Sequence, residues 1–213
     1  TAADMLQTSL ENKGLKFLLR KQTTALYPGN EGRVAKVSFV DGEEIDTDLV
    51  VMAVGIKPND DLARGAGIHC TRGIVVSDTM QTYDPRIYAV GECVNHRGIA
   101  YGLVAPLFEM AKVCANHLAH MGIGRYEGSV TSTKLKVTGV DLFSAGNFQG
   151  SADTEEILLH DAVGGVYKKI VLKDDCIVGA VMYGDTRDGA WYFQMLREKQ
   201  NVAEIRDHLM FGQ

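Results

Sequence analysis

Ile87-Tyr-Ala-Val-Gly-Glu-Cys93, followed by Tyr101-Gly-Leu-Val-Ala-Pro106, is the stretch on which the fold turns. An apolar run short enough for a buried strand stops at Gly91, and the acid Glu92 comes at once. Beyond a polar loop, Leu103 to Met121 places Leu107, Met110, Ala111, Cys114 and Leu118 at spacings of three and four, the period of an amphipathic helix. At 1.5 Å per residue that helix is about 28 Å long. Strand, glycine, carboxylate, loop and helix start is the order in which an α/β sheet holds a cofactor beyond the carboxyl ends of its strands. Glu92 has the chemistry to accept hydrogen bonds from the hydroxyls of a sugar-like chain, although a solvated acid has the same spacing. The first helical turn, near Val104 and Ala105, leaves backbone N–H groups free. Its positive dipole end favours a negatively charged ring edge by about 0.3–1 kcal/mol. Pro106 suits that turn, where a missing N–H costs little.

Upstream, Thr1 to Lys13 reads as a helix, with Leu6 and Leu10 one turn apart and Gly14 as its stop. Leu15 to Leu19 and Thr23 to Tyr27 are short strand candidates. Arg33 to Val40 alternates, with Val37 and Phe39 on one face, and Asp41-Gly42 makes a hairpin turn. Asp48-Leu-Val-Val-Met-Ala-Val-Gly55 is continuously apolar, as a strand buried on both faces is. Gly55 at its end allows backbone to approach a ligand closely, and a plain turn glycine reads the same way. Asp60 to Gly65 is one or two helical turns, and Gly73 to Asp78 is a strand. Downstream of Tyr126 the texture changes. Lys134 to Val137, Asp141 to Ala145, Ile157 to His160, Val166 to Leu172 and Ile177 to Tyr183 are five strand candidates. Helical patterns at Gly189 to Lys199 and Val202 to Leu209 close the chain. The expectation is α/β followed by a separate α+β unit on an antiparallel sheet.

The bulk composition narrows the function classes. With 213 residues, 46% apolar and 23% charged, the chain has the make-up of an ordinary globular protein with a sizeable core. A net charge of -5 and no basic block argue against nucleic acid or an anionic membrane as partner. Cys70, Cys93, Cys114 and Cys176 form no C-x-x-C pair, so neither a zinc or iron–sulfur ligand set nor a dithiol is expected. Free thiols and the lack of a signal-like start suggest the cytoplasm. Cys93 reads as a packed side chain, because the neighbouring carboxylate raises a thiol pKa. His96 and Arg97, in the loop before the helix, have the charge to meet an anion or to sit solvated. His117 and His120 lie three apart on a helix with no further ligand nearby, which argues against a metal site. Trp191, Tyr192 and Phe193 are core residues or a flat wall beside a ring. No Gly-x-Gly-x-x-Gly follows a strand and no Gly-x-Ser-x-Gly occurs.

Asp48-Leu-Val-Val-Met-Ala-Val-Gly-Ile-Lys-Pro-Asn59, Gly73-Ile-Val-Val-Ser-Asp78 and Ile87-Tyr-Ala-Val-Gly-Glu92 together resemble the FAD/NAD(P)-dependent pyridine nucleotide-disulfide oxidoreductase superfamily. Within it, Gly-Glu-Cys93, His96-Arg97-Gly98, Tyr101 to Pro106 and Thr133-Lys-Leu-Lys-Val-Thr-Gly-Val-Asp-Leu-Phe-Ser-Ala-Gly146 resemble the large subunit of NAD(P)H-dependent nitrite reductases. Nitrate-assimilation electron-transfer subunits share these motifs. The resemblance implies that Gly91 and Glu92 contact the ribityl and pyrophosphate part of FAD; many relatives carry Asp where Glu92 stands. It implies that Val104 and Ala105 face the pyrimidine edge of the flavin and stabilise it when reduced. It places Gly55 at the end of the strand that returns from an NAD domain to an FAD domain.

By the same resemblance, residues 1–55 are the last part of an NAD(P)-binding domain and 56–127 the second half of an FAD-binding domain. Residues 128–213 are an interface domain of antiparallel sheet with two C-terminal helices. Both dinucleotide fingerprints are expected upstream of Thr1, and iron–sulfur and sirohaem modules downstream of Gln213. The parent is expected to be a cytoplasmic NAD(P)H-dependent FAD oxidoreductase that passes electrons to such a centre and reduces nitrite. No side chain here is expected to be a proton-transfer catalyst, and the isolated chain is expected to be inactive. A rubredoxin or ferredoxin reductase, or an NADH oxidase, of the same superfamily is the alternative enzyme. An interaction module that associates with a redox partner or with its own copies is the non-catalytic one.

Overall fold

A computed structural model describes residues 1–137 and 139–213, so that Thr138, within the Thr133 to Gly146 motif, lies outside the described residues. The chain divides into two compact units, one of Gln7–Gly55 and one of Thr1–Leu6 with Ile56–Gln213. Helix α1 (Ala2–Glu11) contributes its first turn to the larger unit and the rest to the smaller.

The smaller unit is built on an antiparallel sheet in the order β1 (Thr23–Pro28), β2 (Val34–Phe39), β3 (Glu44–Asp46). Val37 and Phe39 of β2 are buried as expected, but the alternation is not expressed in burial, because Ser38 between them is buried too, its Oγ 2.8 Å from Thr24 Oγ1. Gly42 turns the β2–β3 hairpin, its N–H bonding Phe39 O at 3.0 Å. Lys21 pairs with both Asp41 and Glu43 across that turn. Two expectations fail here. Leu15 to Leu19 is not a strand, and its leucines are exposed. Asp48 to Gly55 is not a strand either: Leu49, Val51, Met52 and Val54 are 74–84% exposed. An all-apolar strand requires a hydrogen-bonded neighbour and cover on both faces, and none of the three described sheets includes this segment.

In the larger unit, α2 (Asp61–Gly65) leads to β4 (Cys70–Thr71), β5 (Gly73–Val76) and β6 (Val94–His96). β4 is antiparallel to β5, and β5 is parallel to β6, with Ile74 opposite Val94 and Val76 opposite His96. Asp60, buried, ties this corner by accepting from Arg64 Nε at 2.9 Å and Gly73 N at 3.1 Å. The run Ile87 to Val90 is not a strand; it makes a single bridge, Tyr88 to Gln81, and the strand begins three residues after Gly91. Gly91 and Glu92 therefore lead into a strand rather than follow one. Helix α3 (Val104–Leu118) is shorter than the Leu103 to Met121 pattern at its C-terminal end. Its Met110 and Cys114 pack with Val76, Met80, Val94, Tyr101 and Tyr126 in one cluster.

All five strands expected downstream form, in one antiparallel sheet ordered β7 (Ser132–Val137), β8 (Val140–Gly146), β11 (Cys176–Tyr183), β10 (Val166–Lys173), β9 (Glu155–Asp161). One face, with Ile170, Leu172, Ala180 and Met182, packs with Tyr192, Met195 and Leu196 of α4 (Gly189–Glu198). On the other, Val140, Tyr167 and Tyr183 cluster with Ala2, Met5 and Leu6 from the first turn of α1. Lys168 is buried but answered by Asp185 at 3.0 Å and Asp188 at 3.3 Å. The last helical element, Ala203–Phe211, is a 3-10 helix rather than an α-helix. Among the described residues no helix is long and apolar enough to cross a membrane.

Candidate functional site

The parallel pair β5–β6 has a carboxyl end, the edge at which open α/β sheets bind ligands. What stands there is a polar clamp. Asp78, two residues beyond β5, shares a hydrogen bond of 2.9 Å between its Oδ1 and Nε2 of His96, the last residue of β6. Arg97 donates from Nε to Oδ1 at 3.0 Å and from Nη2 to Oδ2 at 2.8 Å. The Arg97 guanidinium first, and His96 second, hold the Asp78 carboxyl down to about 2 from an ordinary 3.8. An ionised carboxylate only accepts, so Nε2 of His96 carries the hydrogen. Neither reading of His96 and Arg97, meeting an outside anion or sitting solvated, describes the pair: the anion they meet is Asp78 of this chain. Both are spent on Asp78, and His96 is 1% exposed.

The clamp continues towards α3. The ring of Tyr126 lies 4.9 Å from that of His96, and Tyr126 N donates to Asp78 O at 2.8 Å. Tyr126 Oη and Ser129 Oγ are 2.7 Å apart, Ser129 N donates to Tyr101 Oη at 3.1 Å, and Ser129 Oγ donates to Glu109 on α3. Burial pushes the Tyr126 hydroxyl well above its usual range, so it stays protonated. Tyr126, Ser129 and Glu109 belong to none of the motifs, and Asp78 enters only as the last residue of the Gly73 to Asp78 stretch, with no role of its own. Asp78, Tyr126 and Ser129 lie just outside elements and Glu109 lies within α3, positions that many polar residues share.

Of the five residues expected at a cofactor, Gly91, Glu92, Val104 and Ala105 lie in the larger unit. Gly91 takes φ +101°, a conformation that side chains other than glycine's rarely adopt, and the space above its Cα is open. Glu92 is exposed and has no hydrogen bond to the chain among the described residues. Cys93, beside it, is half-buried with Sγ 3.5 Å from Val90 O. Its thiol pKa is raised as expected, but by burial, with smaller contributions from Asp60 and Cys70 rather than from Glu92. α3 begins at Val104 after Leu103, which supplies no side-chain cap, and Val104 and Ala105 are exposed while Pro106 is buried. Two backbone donors at that start are therefore free for a partner. Gly55 closes the smaller unit with φ +85° and nothing near its Cα.

Leu103, Ala105, Pro106 and Glu109 of the α3 region line one side of a cavity of about 170 Å³, and Ser129 to Ser132 line a second. Phe193 and Arg197 of α4 close it. Of the three aromatic residues considered as a wall, Tyr192 is wholly buried and its hydroxyl donates to Leu209 O at 2.5 Å. Trp191 packs against the terminal core, whereas Phe193 both packs there and borders the cavity. His117 bonds Tyr88 Oη through Nδ1 at 2.9 Å. Among the described residues no three His, Cys, Asp or Glu side chains cluster as metal ligands. The donor set fits a flavin in part: a free carboxylate after a glycine turn suits ribityl hydroxyls, and an uncapped helix start suits an electron-rich ring edge.

Residues 1–117 match the family model for pyridine nucleotide-disulphide oxidoreductases, and residues 132–200 that for the rubredoxin NAD+ reductase C-terminal domain. The NAD(P)H nitrite reductase of Bacillus subtilis is 52% identical over 96% of this chain and 25% of its own length. The assimilatory nitrate reductase electron transfer subunit of the same organism is 45% identical over 99% of this chain and 27% of its own. The chain thus spans about a quarter of the length of the curated relatives it matches. Among solved structures, a FAD-dependent pyridine nucleotide-disulphide oxidoreductase from Desulfovibrio vulgaris matches with a TM-score of 0.74 at 25% identity, covering 96% of this chain and 55% of that one. A ferredoxin reductase from Rhodopseudomonas palustris has the same fold, with a TM-score of 0.78 at 20% identity, over 93% of this chain and 50% of that one.

Proposed function

Because the chain belongs to the pyridine nucleotide-disulphide oxidoreductase family, we propose that it carries the ribityl and ring-edge half of an FAD site. We propose further that its parent passes electrons from NAD(P)H through FAD to an iron–sulfur and sirohaem centre that reduces nitrite. The observation that carries the first part is the exposed, uncapped start of α3 at Val104 and Ala105, joined to the Asp78 clamp through Ser129 and Glu109. The relatives named as NAD(P)H nitrite reductases support the second.

FAD, when bound, supplies the exchange between two-electron and one-electron chemistry, and the protein supplies position and electrostatics. In this reading Glu92 accepts hydrogen bonds from ribityl hydroxyls, and Gly91 lets the backbone pass close to them. The N–H groups of Val104 and Ala105 point at the ring edge, and their dipole end favours negative charge there. Gly55 ends the segment that leads from the nucleotide-binding part, residues 1–55, to the flavin part, 56–127. Residues 128–213 form the interface domain, through which copies of the chain associate in the cytoplasm. No side chain here moves a proton in the reaction. A second reading, delivery to a rubredoxin or ferredoxin, is favoured by the match of residues 132–200 to a rubredoxin reductase domain.

Titration of the purified chain with FAD, followed by flavin fluorescence, tests the first part. The expected result is weak binding, reduced about tenfold by Glu92→Ala for the loss of one or two hydrogen bonds, and no NADH consumption. Equal binding by the wild type and E92A, or steady NADH oxidation with FAD supplied, would overturn it.

A further inference from the structure

Phe193 and Arg197 stand one turn apart on α4, and both border the cavity that Leu103, Ala105 and Pro106 line from the α3 side. The Arg197 guanidinium lies 5.8 Å from the centre of the Phe193 ring. Its nearest anion is the Glu109 carboxylate at 3.9 Å, outside hydrogen-bond reach. Glu109 has a closer partner in Ser129 Oγ. Among the described residues Arg197 donates no hydrogen bond to the chain, so a planar set of five donors remains available. Glu109, four residues after Ala105, puts the one opposing carboxylate in the same lining. The cavity therefore holds an apolar floor, an aromatic wall, a cation without a close partner and a carboxylate held aside by a serine.

We propose that Arg197, with Phe193 as the wall beside it, is a binding residue for the ring placed at the start of α3. The terminal domain would then set how much more tightly the reduced, negatively charged ring is held than the oxidised one. This rests on the reading of that helix start as a flavin site. A ring that takes up two electrons and one proton gains one negative charge. A cation in its pocket therefore favours the reduced form, and a neighbouring carboxylate favours the oxidised form. Arg197 and Glu109 are expected to act with opposite sign.

The test is equilibrium binding of FAD to the purified chain, once in air and once under argon after reduction with dithionite. It compares the wild type with Arg197→Gln, Arg197→Lys and Glu109→Gln, each checked for fold by circular dichroism. R197Q is expected to weaken the reduced form about fivefold more than the oxidised one, the scale of a partly solvated charge pair. R197K should lie near the wild type, and E109Q should shift the ratio the other way. If R197Q weakens both forms equally, the proposal fails while the flavin reading stands. If the wild type binds neither form, the flavin reading fails and takes this proposal with it. Should R197Q not fold, the opposite shift in E109Q decides, and its absence overturns the proposal.

Discussion

Asp78 accepts three hydrogen bonds from two consecutive residues that lie 18 and 19 positions downstream. Removing its carboxylate leaves a His96 that is 1% exposed without a partner. That is the situation in which a lost hydrogen bond costs most. Asp78→Ala is expected to destabilise the larger unit by roughly 1–3 kcal/mol in urea denaturation. The pH dependence follows from the depressed carboxyl. With its pKa at about 2 rather than 3.8, the folded state binds fewer protons than the unfolded one through that window. The clamp's contribution is complete above 3.8 and lost as the pH falls through about 2. The stability difference between wild type and Asp78→Asn should therefore shrink across this range; a constant difference would contradict the clamp. These residues also show why the site was only half legible. Gly91, Glu92 and the helix start announce themselves within about fifteen positions. The Asp78–His96 pair has no local pattern, because it exists only once two parallel strands bring their ends together.

At the scale of elements, what could be read was alternation with partners nearby in sequence. β10 and β11 are joined by a tight turn, and their apolar residues bury against α4 as the pattern required. Asp48 to Gly55 and Ile87 to Val90 have stronger strand composition than either edge strand of that sheet, yet neither is a strand. A strand is a pairing, and composition reports only willingness to pair. The closing segment failed differently. Val202 to Leu209 has a helical period, but its turns answer to tertiary contacts: Tyr192 Oη donates to Leu209 O, Arg206 pairs with Glu155, and Leu209 and Met210 sit in the core. Poorer hydrogen-bond geometry makes a 3-10 segment dependent on such anchors. Tyr192→Phe removes the short bond to Leu209 O and leaves that carbonyl only the longer one from Gly212 N at 3.5 Å, and is expected to cost about 1–2 kcal/mol. Amide exchange should accelerate over residues 203–211 before it does in β10 or β11. Uniform acceleration across the sheet would show that the hydroxyl supports the core rather than the segment.

For the molecule as a whole, the net charge of -5 favours solubility, while one stretch of surface opposes it. Leu49, Val51, Met52 and Val54 are 74–84% exposed within six residues. Among the described residues, no backbone N–H from Leu49 to Ile56 donates a hydrogen bond to the chain. An extended apolar run with free backbone donors is a template for pairing with another chain. The purified chain is therefore expected to self-associate, with light scattering that rises with concentration. Val51→Lys with Val54→Lys should suppress the growth beyond the pairing proposed for residues 128–213. Both side chains already face solvent, so the double change should alter stability by no more than about 0.5 kcal/mol per site. A wild type that stays monomeric at high concentration would defeat this prediction. Growth beyond that pairing that persists in the double variant would move the adhesive surface elsewhere. Val104 and Phe108, one turn apart on α3 and 66% and 72% exposed, are then the residues to charge next. If FAD lowers the association seen with the double variant, the face of α3 that binds flavin and the face that binds a second copy are the same.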